Sequence, residues 1–202
     1  MTQEKLKITQ FALEKFTSSG LKNVTMDEIA RELQMSKKTI YKHFPNKEAL
    51  IREAIILLTG TVKKTIESVV AGNDSAVHKL HGISNVLRNV VLKISDRWLI
   101  DLKMRYNDVW QEVDKFRVKS IAENFSKIIE QGKSEGLIDD KPTKIIYYII
   151  IASVQEIVNP KFLVENSYSA KDAAQITLDI IFKGILTKKG RKIYKQLETE
   201  NK

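Results

Sequence analysis

Apolar residues return at helical spacing along almost the whole chain, and no segment alternates apolar with polar residues over the length of a strand. Ile8, Phe11, Ala12 and Phe16 give a first helix over about residues 4–18, which Ser18, Ser19 and Gly20 end. Thr25 with Glu28 three residues on is a capping box. Met26, Ile29, Ala30 and Leu33 then form the inner stripe of a short helix, about 26–33. After a break at Gln34-Met35, Ser36 caps a third helix whose Ile40 and Phe44, at i and i+4, point inward. Lys37, Lys38, Tyr41 and Lys42 therefore point outward, with Thr39 and His43 on the flanks. Pro45 stops this helix, Asn46 caps the next, and Lys47 stands in its first turn, where free amides and the helix dipole favour an anion.

From Lys47 to Ala71 the pattern stays helical without a break, a rod roughly 37 Å long. Gly72-Asn73-Asp74 punctuates the chain. Further helices are expected at about 74–94, 97–106, 108–135, 143–158 and 170–187. Asn159-Pro160 and a loop through Tyr168 separate the last two, and a basic tail from Lys188 to Arg191 leads into a short final helix. The spacing thus predicts an all-α chain, a three-helix head over 1–46 joined by a long helix to a helical body over 47–202.

Two body helices are apolar nearly all round: Ile145 to Val154, and Ala173 to Leu186. Such helices need cover on more than one side. A homodimer in which both subunits contribute the pair to a four-helix bundle supplies it, with Ile146, Ile150, Ile181 and Ile185 as the expected seam. Trp98, Met104, Tyr106, Trp110 and Phe116 cluster in sequence and are the candidate walls of a small-ligand pocket, although such a stripe also suits plain core.

Charge sharpens the picture. The 202 residues carry a formal net charge of +9 and no cysteine, and between Met35 and Lys47 there are four lysines, His43 and no acid. A basic balance favours a polyanionic partner. Lysines can donate to guanine edges, a threonine methyl can pack on a thymine methyl, and hydroxyls and ammoniums can hold phosphates, so the third helix has the chemistry of a major-groove reader of duplex DNA. The absence of cysteine excludes disulfides and thiolate metal sites and fits a reducing cytoplasm. The first twenty residues lack the apolar core of a secretory signal, and the longest apolar run is too short to span a membrane. His78 and His81, three apart, lack the further ligands a metal site needs. No phosphate loop, zinc-protease or nucleophile-elbow motif occurs. No enzyme activity, cofactor or metal is expected.

Thr25 through Leu50 resembles the signature of the TetR family of bacterial transcriptional regulators: the Ile29-Ala30 pair, the Ser36 cap, Thr39-Ile40-Tyr41, His43-Phe44, and Lys47-Glu48 opening the next helix. The resemblance implies that Lys37, Lys38, Thr39 and Tyr41 contact base edges or the groove, and that Thr25, Tyr41, Lys42, His43 and Lys47 anchor phosphates. Two positions depart from the family pattern. Gln34 replaces the glycine common in the turn, so the turn is expected to find a conformation that does not need glycine. Lys38 replaces the glycine common inside the recognition helix and lengthens the reach into the groove. The reading is a cytoplasmic DNA-binding regulator, with residues 1–46 as the helix-turn-helix domain and 47–202 as the ligand-binding and dimerisation domain. It would bind a palindromic operator as a homodimer, act as a repressor and be released by a small hydrophobic effector. The alternative is an architectural or nucleoid-associated DNA-binding protein controlled by a protein partner.

Overall fold

The computed structural model describes residues 2–200. Among these, eleven helices succeed one another: α1 (Gln3–Ser19), α2 (Met26–Glu32), α3 (Lys37–His43), α4 (Lys47–Ala71), α5 (Ala76–Val91), α6 (Asp96–Arg105), α7 (Asn107–Ser134), α8 (Thr143–Ile157), α9 (Pro160–Asn166), α10 (Ala170–Ile185) and α11 (Lys188–Glu200). The described residues contain no strand, only an isolated antiparallel bridge between Ile138 and Leu186. The chain packs as two compact units, one of Met1–Thr61 with Leu92–Val113, the other of Val62–Val91 with Asp114–Lys202.

In the first unit α1, α2 and α3 close on Ile8, Phe16, Ile29, Ile40 and Phe44, all essentially removed from solvent. The start of α4 joins them through Leu50 and Ile51, and α6 through Trp98 and Leu102. Packing thus groups α6 and the first half of α4 with the three short helices. The segment before and along α6 is tied to the end of α1 by hydrogen bonds. Ser95 N donates to Thr17 O at 2.8 Å, and Lys22 N donates to the Asp101 carboxylate at 2.8 Å. Gly20 lies between them at φ +85°, where a Cβ would sit 2.7 Å from the Arg97 side chain. Only glycine fits both the backbone angle and the space.

The second unit is built around Leu80, Ile83, Phe125, Ile129, Ile150 and Phe182. Gly136, at φ +66°, ends α7 in the left-handed conformation usual for a C-terminal glycine. The segment expected to be a loop between the last two large helices holds α9 instead. Asn159 accepts from Lys161 N, Pro160 occupies the first turn, and Ser167 closes the helix at φ 57°. The Asn-Pro pair that reads as a breaker is here a cap followed by a first-turn proline.

Candidate nucleic-acid interface

The local geometry of the head follows from its caps. Thr25 Oγ1 accepts from Glu28 N at 3.1 Å, and Glu28 returns by accepting from Thr25 N at 3.4 Å. Such a box fixes where α2 begins and contributes about 1 kcal/mol. The turn after α2 is closed by Met35 N donating to Ala30 O at 2.9 Å. Contrary to the sequence expectation, it keeps the left-handed conformation that glycine favours: Gln34 itself adopts φ 55°. Ser36 Oγ then accepts from Thr39 N at 3.0 Å and shares a 2.8 Å hydrogen bond with the Thr39 hydroxyl.

With Ile40 and Phe44 buried, α3 has one orientation available. Lys37, Lys38, Tyr41 and Lys42 are exposed, as are Thr25 and Ser36, while Thr39, His43 and Lys47 are half-buried. Asn46 accepts from Ala49 N at 2.8 Å and starts α4. Lys47, in that first turn, extends its ammonium towards Lys22 O at 3.4 Å. Partial burial pushes the Lys47 amine below its usual pKa, with Asp101 opposing the shift.

Two side chains of the face have acidic partners that sequence spacing does not reveal. Lys37 pairs with Asp27 at 2.5 Å, and His43 meets Glu4 at 2.6 Å. Both Lys37 and Asp27 are well exposed, so their pair contributes about 0.2–1 kcal/mol and yields readily to a phosphate or base. Arg52 on α4 gathers Glu48, Asp108 and Glu112. The Lys22–Asp101 hydrogen bond links residues 79 apart, and no local pattern could have foretold it.

Residues 8–54 match the family described as bacterial regulatory proteins, tetR family. Over these residues the head is similar to the tetR family of bacterial regulatory proteins. Over 164 residues the chain is 22% identical to the uncharacterized HTH-type transcriptional regulator YvaF of Bacillus subtilis (strain 168), covering 80% of this chain and 85% of that protein. Among solved structures it is similar to a putative transcriptional regulator from Saccharomonospora viridis in complex with choline, with a TM-score of 0.69, 18% identity, and 93% and 100% of the two chains covered. It is also similar to SmeT, the repressor of the Stenotrophomonas maltophilia multidrug efflux pump SmeDEF, with a TM-score of 0.63, 15% identity and 91% of each chain covered. These solved structures share the all-α fold over most of the chain.

Other candidate residues are placed differently from the sequence expectation. Trp98 and Trp110 are buried, Tyr106 and Phe116 half-buried, but Met104 is 77% exposed and does not wall a pocket. Trp98, Met104, Tyr106 and Trp110 belong to the first unit and Phe116 to the second. The expected seam also needs correction. Ile146, Ile150 and Ile185 lie in the subunit's own core, and Ile181 packs half-buried against it. The large apolar residues those two helices leave exposed are Ile145, Tyr148 and Ile149 on α8, and Ile176 and Ile180 on α10. His78 hydrogen-bonds Ser75, and the His81 ring lies edge-on to Tyr194. Among the described residues no group of three or more His, Cys, Asp or Glu is placed to hold a metal.

Proposed function

We propose that this protein is a tetR-family regulator, a repressor that binds a palindromic operator as a homodimer and is released by a small, hydrophobic effector. The outward face of α3 carries the reading: Ile40 and Phe44 hold the helix, and Lys37, Lys38, Tyr41 and Lys42 stand exposed on it. In this reading residues 1–46 are the DNA-binding domain and 47–202 the ligand-binding and dimerisation domain. Lys37, Lys38, Thr39 and Tyr41 contact base edges, while Thr25, Lys42, His43 and Lys47 hold phosphates and Ser36 fixes the helix start. Two heads on a two-fold axis would read half-sites about 34 Å apart. The exposed apolar residues of α8 and α10 are the proposed seam.

Release by a small molecule needs only that the molecule bind the non-repressing state more tightly. The regulator crystallised with choline and a complex of SmeT with triclosan are examples among the fold's relatives. Trp98, Tyr106 and Trp110 are candidate ligand-facing aromatics of the first unit. No helix among the described residues is long and apolar enough to cross a membrane, and we place the protein in the cytoplasm with its DNA.

Selection from a random duplex library should enrich a palindrome. Lys38→Ala or Tyr41→Ala should weaken binding to that site about tenfold or more relative to random duplex, since a good base contact contributes about 1–3 kcal/mol of discrimination. Lys47→Ala should weaken both and lower the salt slope by about one. Equal losses on selected and random DNA for Lys38→Ala and Tyr41→Ala would show that neither reads bases.

A further inference from the structure

Between Thr187 and Leu197 the chain carries Lys188, Lys189, Arg191, Lys192 and Lys195 and no acid. This cluster is as dense as the one on α3, yet it belongs to the other unit, and neither the DNA-binding head nor the apolar seam uses it. Its orientation is fixed by packing. Tyr194 is buried edge-on to His81 and Phe182, and Ile193 and Leu197 pack on the same core. Gly190 lets the first turn lie directly on the backbone at Leu137, where a Cβ would come within 2.2 Å of the carbonyl oxygen. With that stripe inward, Lys188, Lys192 and Lys195, at i, i+4 and i+7, align on the opposite face with Lys189 and Arg191 beside them. All five are exposed.

The arrangement differs from the ion-paired charged surfaces of the body. Several exposed lysines elsewhere pair with an acid one turn away, as in Lys63–Glu67, Lys119–Glu123 and Lys161–Glu165. Among the described residues none of the five α11 cations forms an ion pair. The nearby acids are engaged with other lysines: Glu198, on α11 itself and three residues from Lys195, and Asp179 with Lys183, Asp139 with Lys141, Asp140 with Lys133. Lys188 and Lys189 stand in the first turn, where the helix dipole opposes cations, and Lys188 with Lys192 repel across one turn. The face is therefore unfavourable to its own helix.

We propose that the cationic face of α11 is a second, sequence-independent contact for the phosphate backbone of duplex DNA. The proposal rests on the reading that duplex DNA is the partner of this protein. Lys188 to Lys195 rises about 10 Å along the helix, the axial span of about three phosphates on one strand. No large apolar or aromatic side chain is exposed on α11 among the described residues, so the face offers neither the stacking platform of a single-strand binder nor the inserting stripe of a membrane-surface helix. Its apolar stripe is already consumed by the core.

The test is the full chain with Lys188→Gln, Lys192→Gln and Lys195→Gln together, glutamine being a comparable helix former. Titrated with random-sequence duplex over a range of salt, the variant should show a slope of log affinity against log salt reduced by about two to three, with an undiminished melting temperature. A Lys38→Ala, Tyr41→Ala head variant should retain residual binding to random duplex and lose it when the three glutamines are added. An unchanged slope, or loss of all duplex binding in the head variant alone, would overturn the proposal and leave the head reading intact. A head variant that binds a selected operator as the parent does would overturn the head reading instead. If the three glutamines abolish binding only to anionic phospholipid vesicles, with duplex affinity unchanged, the face serves a membrane and the proposal fails.

Discussion

Gln34 shows what a single position can hide. Its identity suggests a turn that avoids glycine's conformation, yet it takes φ 55°, because the Met35 N to Ala30 O hydrogen bond and the Ser36 cap on either side require that geometry. An L-residue in the left-handed region costs about 1–2 kcal/mol. Gln34→Gly should therefore stabilise the protein by about 1 kcal/mol, less the extra chain entropy glycine brings to the unfolded state. A denaturant midpoint that stays or falls would show that Gln34 has found compensation. The exposed residues of α3 were legible because their inward neighbours Ile40 and Phe44 left them one direction. Their partners Asp27 and Glu4 were not, since both approach from other helices.

At the scale of elements, helices with a cap and an inward stripe were readable to within a residue or two: α3 runs from Lys37 to His43 and α4 from Lys47 to Ala71. α9 escaped because its seven residues offer only about two turns of periodicity and begin with a proline. The start of α11 was expected as a basic tail before a short helix, but the helix already begins at Lys188 and is held on the core by Tyr194, Ile193 and Leu197. Burial pushes the Tyr194 phenol up from 10.0 to about 12, reinforced by Asp179 and Glu198 and opposed by a hydrogen bond with Ser84 and by Lys183. The neutral phenol is the form the fold prefers. Its contribution is complete below pH 10 and is lost as pH rises towards 12. Denaturant stability should fall across that window, and fall less in Tyr194→Phe, which has no phenol to ionise. Parallel curves for the two proteins would show that α11 does not depend on the protonated phenol.

Across the whole molecule, the two isoleucine-rich helices announce a need for cover but not which side receives it. Ile150 is fully buried within the subunit, whereas its neighbour Ile149 is about half exposed. Lysine at Ile150 would place an unpaired charge in the core at a cost comparable to the total stability of a domain. Ile150→Lys should therefore unfold the chain, while Ile149→Lys or Ile180→Lys should give folded monomers in sedimentation. A folded dimer carrying Ile149→Lys and Ile180→Lys together would remove these residues from the seam. By itself the sequence determined the longer helices, the caps of the head and the cationic side of α3, because each depends on residues within a turn or two of one another. Tertiary structure alone decided that α6 docks beside the end of α1, that Met104 faces solvent, and which isoleucines remain outside. Those outcomes turn on contacts between residues far apart in the chain, for which an all-apolar helix carries no directional signal.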